Sequence, residues 1–505
     1  MSTIKISWLD QDRVFAGILL FGLLAMTARN AVDPDLWWHL RTGQLIVETG
    51  HIPRTDPFSF TRAGSPWVSH EWLSEVTFYE VWKRSGAAGL IIFSAAITTA
   101  GFMLLYLRCP GKNRGTAAAV IALGAVAASP AWGARPQMFT FTLASLMLWL
   151  LERGREHPRS LLWIPLLFLL WLNLHAGFAL GPALLIAFAA GLFWEVVVGD
   201  TTWEEVRAYF LRVLAVVLAC MALVPLNPSG TQLYRYPLDV LRSAGMRSFI
   251  NEWLPPDFHQ IRYLALVLIW VALLAALGTS RSRPKARVLV PLFLTFMAAL
   301  DAVRHIPIFV LLAIPVIAAS LSNQRSEDLL SPARPFRASA SSRFAFRLAV
   351  VLLMAGFAAT RWSSLVRNQA RVEAENFPAP AADYLRSHPM PSRLFAHYDW
   401  GGYAIWKLYP AYDLFVDGRA DLYGDDLLGK FQQALQVKAG WNQVLDSCGV
   451  ESVLVPPSSP LAQALLLDSG WKPEYRDQQA VLLVRIPSPG GGSGLLPLSA
   501  WSTGK

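Results

Sequence analysis

The chain has 505 residues, of which 54% are apolar and only 16% charged, and its mean hydropathy is +0.37. Soluble chains carry nearer ~25% charged residues, and here the apolar residues come in runs, which excludes a string of soluble domains. The net charge of +9 (44 Lys and Arg against 35 Asp and Glu) comes without any basic low-complexity arm, so no nucleic-acid partner is expected.

Eleven apolar runs are candidate spans: Val14–Met26, Ala87–Leu107, Ala117–Trp132, Met138–Leu151, Leu161–Leu172, Phe178–Val198, Tyr209–Leu226, Tyr263–Leu277, Val288–Leu300, Ile306–Leu321 and Phe346–Thr360. Several are shorter than the ~20 residues of a simple crossing, which suits broken or tilted helices lining a cavity. The expected fold is therefore an all-α polytopic membrane protein of about eleven spans.

Basic residues set the orientation. Arg108, Lys112 and Arg114 share one loop, and Arg153, Arg155 and Arg159 another. Arg281, Arg283, Lys285 and Arg287 form a third group, and Arg325, Arg334, Arg337, Arg343 and Arg347 a fourth. If the helices alternate, all four lie on one side, which the positive-inside rule makes cytoplasmic. Lys83 and Arg84 are a local exception. The N-terminus is then cytoplasmic, in a multi-pass inner (plasma) membrane protein. Residues 32–86, 132–137, 173–177, 227–262 and 301–305 face outward with everything after 361, and these segments hold eight of the nine histidines. A site on the exported side is expected.

From about Arg361 the chain changes character. Arg393–His397, Tyr412–Val416, Val450–Val455 and Ala480–Ile486 read as strands, alternating with helical segments at Tyr403–Leu408, Asp425–Gln436, Trp441–Cys448 and Leu461–Ser469. This pattern predicts a small exported α/β domain. The expected division is a membrane domain over 1–361 (with 32–86 as its first exported loop), an α/β domain over 362–487, and a glycine-rich flexible tail over 488–505.

The densest chemistry follows the first span, in Asp33-Pro34-Asp35-Leu36-Trp37-Trp38-His39. Pro34 suits the first turn of a helix with Asp33 as its cap, which puts Asp35 and His39 on one face. Trp37 and Trp38 would anchor that helix along the bilayer surface. The segment also suits an interfacial helix without chemistry, but two carboxylates and a histidine exceed what a cap requires. Ser65–Trp72 begins a second helix, in which His70 and Glu71 are candidate metal ligands or substrate contacts. Arg135-Pro136-Gln137 lies in a very short loop, Asn173 and His175 interrupt a long apolar run, and Asp301, Arg304 and His305 separate two spans. Ionisable groups at such depths line wet cavities or pair with each other, as Asp301 with Arg304, and arginine can fork around a phosphate. His397–Tyr403 and Asp417–Asp421 follow predicted strands, as ligand-binding loops do. No Walker loop, HExxH, CxxC or GxSxG is present.

The acidic motif after the first span, the long first exported loop, the many spans and the exported α/β domain together resemble the GT-C superfamily of membrane glycosyltransferases. The likeness is to the branch with protein O-mannosyltransferases and lipid A aminoarabinose transferases. Asp33–Gly43, Trp67–Leu73, Arg135–Gln137, Trp171–Phe178 and Asp399–Tyr403 look like the corresponding segments of family-39-like bacterial members. The resemblance implies sugar transfer from a polyprenyl-phosphate-linked donor to a hydroxyl of a lipid, glycan or protein acceptor. It implies a carboxylate base, matched here by Asp35 or Asp33, with Asp35 favoured because Asp33 suits the cap. Substrate and phosphate contacts would come from Arg135, His175, Asn173, Arg304 and His305. A divalent metal would be held with help from His39, His70 and Glu71. A transporter of lipid-linked glycan and a non-catalytic assembly protein are the alternative readings.

Overall fold

The computed structural model describes residues 10–111, 113–280, 283–324 and 340–486. The expected tail at 488–505 and Lys112, Arg281, Arg325, Arg334 and Arg337 lie outside them. Among the described residues two compact units emerge: those up to 55 with 66–373, and 56–65 with 374–486. The boundary expected at 361–362 thus falls inside a helix, and ten residues of the early loop belong to the second unit.

The first unit is helical: α1 (Gln11–Thr27), α2 (Leu36–Thr49), α3 (Trp72–Arg108), α4 (Arg114–Ala128), α5 (Gln137–Arg153), α6 (Trp163–Leu174) and α7 (Leu180–Val197). There follow α8 (Trp203–Leu223), the short α9 (Tyr236–Arg242) and α10 (Ala244–Phe249), then α11 (Leu264–Thr279), α12 (Ala286–Asp301), α13 (Ile306–Gln324) and α14 (Ala340–Asn376). Each of the eleven predicted runs falls on a helix. Seven of the described helices are long and apolar enough to cross a membrane. The chain is a multi-pass membrane protein, and Phe293, Leu218, Leu274 and Leu353 stand exposed on its apolar helices, as lipid-facing side chains do.

Local chemistry accounts for the breaks. Asp10 caps α1 through the Arg13 amide and Asn113 caps α4 through Thr116. Within α3, Gly86 takes φ 56°, a left-handed conformation that glycine alone adopts cheaply, and it divides an early helix from the span. His175 is extended, at φ −164°, and separates α6 from α7 where the polar pair was expected to interrupt the run.

Two cations read as loop charges are instead buried and paired. Arg287 donates from Nε to buried Glu195 at 2.9 Å, and Arg108 from Nη2 to Glu152 at 2.8 Å. The tryptophan anchors also need correction. Trp37 is fully buried, with its ring 5.8 Å from that of Trp82, and Trp38 lies against Trp67. Helix α2 packs closely on α3 because Gly43 lacks a Cβ, which would meet the Glu75 carbonyl oxygen at 2.1 Å.

In the second unit, α15 (Ala379–Ser387), β1 (Arg393–Ala396), α16 (Tyr398–Leu408), β2 (Asp413–Leu414), α17 (Ala420–Leu435), α18 (Trp441–Ser447), β3 (Ser452–Val455), α19 (Pro460–Leu466), β4 (Trp471–Arg476) and β5 (Val481–Arg485) follow in order. The sheet order is β2-β1-β3-β5-β4, with β1 parallel to β2 and β3 and the other pairs antiparallel. Asp417 and Arg419 are buried and paired at 2.7 Å, and Arg419 also holds Asp56 at 2.8 Å. The loop read as a ligand site thus anchors the 56–65 segment.

Candidate active site

Four distant segments of the first unit meet around one guanidinium. Arg135 stands just before α5. Its Nε lies 2.9 Å from Asp33 Oδ2, its Nη2 2.9 Å from Asp35 Oδ2, and its Nη1 2.5 Å from Glu252 Oε2. Glu252 sits on a single turn of 3₁₀-helix in the long segment between α8 and α11. It also accepts from Gln137 Nε2 at 3.0 Å and faces Arg304 Nη1 at 3.3 Å.

Local structure aims each of these groups. Asp33 Oδ1 accepts the Asp35 amide at 3.0 Å, closing the turn that starts α2 and leaving Oδ2 for Arg135. Asp35 occupies the cap position without capping. Its Oδ1 accepts from Trp38 Nε1 at 3.2 Å, which fixes the side chain. At Gly133 a Cβ would lie 3.1 Å from Asp33 Oδ2, so a bare backbone there leaves room for the Asp33–Arg135 pair. Arg304 lies over the Trp253 ring, 4.3 Å from its centroid.

Charge is crowded here. Burial, together with Asp35 and Glu252, pushes the Asp33 carboxyl up to about 6 against the pull of Arg135. Burial works the same way on Glu252, but Arg135 and Arg304 outweigh it and hold this carboxyl down at about 2. For Arg135, burial disfavours the cation and the three carboxylates more than restore it.

A second cluster centres on Glu71. His70 Nε2 lies 3.1 Å from Oε1, His175 Nε2 3.6 Å from Oε1, and His39 Nε2 3.6 Å from Oε2. His39 Nδ1 faces Glu75 at 3.5 Å and His70 Nδ1 faces the Val68 carbonyl at 3.0 Å. His175 Nδ1 accepts the Gly177 amide at 3.0 Å and meets Thr140 Oγ1 at 2.7 Å, so its Nε2 carries the proton toward Glu71. Burial opposes the charge on Glu71, but His70, His175 and His39 prevail and keep it well below the usual carboxylate range. Burial holds His175 down at about 4, and Arg304 and Glu252 both act on it, which ties the two clusters together electrostatically.

Of the residues singled out from sequence, Asp33, Asp35, Arg135 and Arg304 come together, and His39, His70, Glu71 and His175 form the neighbouring cluster. Asn173 accepts from Trp72 Nε1 at 2.7 Å and from Asn227 at 3.2 Å, tying helices together. His305 Nδ1 faces the Ala298 carbonyl at 3.1 Å. The expected Asp301–Arg304 pair is replaced, since Asp301 faces Arg247 and Arg304 faces Glu252. Glu252 and Glu75 were not singled out, and Gln137 only as the end of the Arg135–Gln137 loop. Nothing in the polar stretch around Asn251-Glu252-Trp253 marks it locally.

Solved structures resemble the chain in backbone fold. The archaeal oligosaccharyltransferase AglB from Archaeoglobus fulgidus, in complex with an inhibitory peptide and a dolichol-phosphate, aligns over 89% of this chain and 70% of its own at TM-score 0.54 and 13% identity. ArnT from Cupriavidus metallidurans bound to undecaprenyl phosphate aligns over 97% of this chain and all of its own, at 0.50 and 15%. This chain shares the fold of these structures. The Archaeoglobus fulgidus oligosaccharyltransferase in complex with Zn and sulfate also shares it, over 87% of this chain and 67% of its own, at 0.50 and 12%. No protein-family profile and no curated protein matches the sequence. At these identities the likeness is one of backbone fold.

Proposed function

We propose that this protein is a membrane glycosyltransferase that moves a hexosyl or pentosyl group from a polyprenyl-phosphate-linked donor to an acceptor hydroxyl. The observation that carries the reading is the convergence of Asp33, Asp35, Arg135, Glu252 and Arg304 from four separate chain segments. The solved relatives bound to dolichol-phosphate and undecaprenyl phosphate support the donor class. The loop charges support an opening away from the cytoplasm.

Asp35 is the general base. Its side chain is 28% exposed against 13% for Asp33, so an acceptor hydroxyl reaches it more readily. The base takes the hydroxyl proton, the freed oxygen pair bonds the anomeric carbon, and the bond from that carbon to the phosphate oxygen breaks. The departing polyprenyl phosphate carries the extra negative charge, which Arg135 and Arg304 stabilise in a water-poor site. The acceptor is a lipid, a glycan or a protein hydroxyl.

The zinc-bound relative raises a divalent metal. The histidines here do not fit one as they stand: their Nε2 atoms converge on the Glu71 carboxylate, and His175 Nε2 bears a proton. Among the described residues, no group of three or more His, Cys, Asp or Glu side chains is set to hold an ion. No step above runs through a metal.

The test is a membrane assay against a panel of polyprenyl-phosphate sugars. The parent transfers at least one sugar, and Asp35→Asn lowers the rate by ~10²–10⁴-fold, the usual contribution of a general base. Undiminished transfer by both Asp33→Asn and Asp35→Asn removes the base assignment. Absence of transfer from every donor overturns the reading.

A further inference from the structure

We infer that the Glu252 carboxylate occupies the seat of the donor phosphate, and that it must swing out of the Arg135–Arg304–Gln137 grip before a donor can bind. The inference rests on the transferase reading and adds a regulation to that site.

The geometry divides the Arg135 fork. Its Nε and Nη2 are committed to Asp33 and Asp35, both carried by the turn that opens α2. Its remaining nitrogen, Nη1, serves Glu252, as do Arg304 Nη1 and the Gln137 amide. Three donors, two of them cationic, thus surround an anion that the protein itself supplies. Planar guanidinium donors grip carboxylate and phosphate oxygens alike.

Charge then decides whether both anions can stay. Three carboxylates against two guanidiniums leave the cluster at −1 before any ligand enters. Adding a phosphate to that set would bury a further unpaired anion, at high cost. Releasing Glu252 balances Asp33 and Asp35 against Arg135 and Arg304 and leaves the two cations open to the ligand.

The support of Glu252 suits release. It rides on a three-residue 3₁₀ turn, Asn251–Trp253, with the short α9 and α10 before it. One backbone bond, from the Val303 amide to the Leu254 carbonyl at 3.1 Å, joins the residue after this turn to the start of the Arg304 segment. A short turn can rotate its side chain out without disturbing a span.

The experiment uses the full chain in lipid nanodiscs, with labelled undecaprenyl phosphate as the probe and inorganic phosphate as competitor. Apparent affinity falls by the fraction of sites free of the internal anion, so a seat filled ~90% of the time weakens binding ~10-fold. Glu252→Gln and Glu252→Ala are expected to bind the probe about tenfold more tightly than the parent and to lower the donor KM. In the unmodified protein, hydrogen exchange at the 251–254 amides is expected to rise when the probe binds, a readout that needs no variant. Unchanged or weaker binding by both variants, or exchange that stays level or falls, overturns the inference. If binding is equal while Asp35→Asn still lowers transfer by ~10²-fold or more, the latch fails and the transferase reading stands. If neither parent nor variants bind the probe and none transfers sugar, both fail.

Discussion

Asp33 uses its two oxygens for different tasks: Oδ1 holds the Asp35 amide at 3.0 Å, and Oδ2 holds Arg135 Nε at 2.9 Å. The same carboxylate therefore shapes the start of α2 and orients the cation that Asp35 shares.

That double role separates the two aspartates experimentally. The Asp33 carboxyl is raised from 3.8 to about 6, so its ionised form weighs against folding. A raised pKa means stability that is full at low pH and is lost as pH rises from about 4 through about 6. The parent is expected to lose melting temperature over that window relative to Asp33→Asn. In the transfer assay, an acid limb in kcat/KM near pH 6 would assign the base to Asp33. Its absence would leave Asp35 in the role.

His175 gives the opposite slope. Its pKa falls from 6.5 to about 4, so the unfolded chain takes the proton first as the pH drops. Stability from this group is full above about 6.5 and is lost progressively toward about 4. His175→Gln is expected to flatten that part of the pH–melting curve. A curve parallel to the parent's would contradict the buried neutral imidazole.

Arg135→Lys tests the fork. An ammonium cannot present three fixed donors to Asp33, Asp35 and Glu252, so the charge is kept while the geometry is lost. Transfer should drop by ~10²-fold or more, as expected when an oriented electrostatic donor is removed. Activity within twofold of the parent would show that charge alone suffices.

Gly43→Ala tests the α2–α3 contact. A methyl group would have to displace the Glu75 backbone, and helices forced apart by overpacking lose ~1–3 kcal/mol. The variant should melt lower than the parent, and an unchanged melting temperature would show that the contact can give way without cost.

In the second unit, Arg419→Ala strands buried Asp417 and Asp56 without their cation. Breaking such a pair typically costs about 3–5 kcal/mol. Limited proteolysis should then cut within 56–65 faster than in the parent. Equal rates would show that the other contacts of the segment suffice, among them buried Phe58, Arg62 Nη2 on the Tyr423 carbonyl at 2.7 Å and the backbone bonds to Leu414.

Membrane character, the eleven helical runs, the break at Asn173–His175 and most strands of the C-terminal sheet were legible in the sequence. Each of these depends on residues within a few positions of one another: apolar runs, caps, a polar interruption, short alternations. Strand β4 escaped because Lys472, Pro473 and Glu474 break the alternation, and its pairing with β5 supplies the order. The burial of Trp37, the membership of 56–65 in the second unit and the partners of Arg135 were decided by tertiary structure alone. Arg135 and Glu252 are 117 residues apart, and no local pattern states which carboxylate a buried cation will meet. That choice follows from how the helices stack, and stacking depends on shapes such as the missing Cβ of Gly43, which become visible only when two distant segments touch.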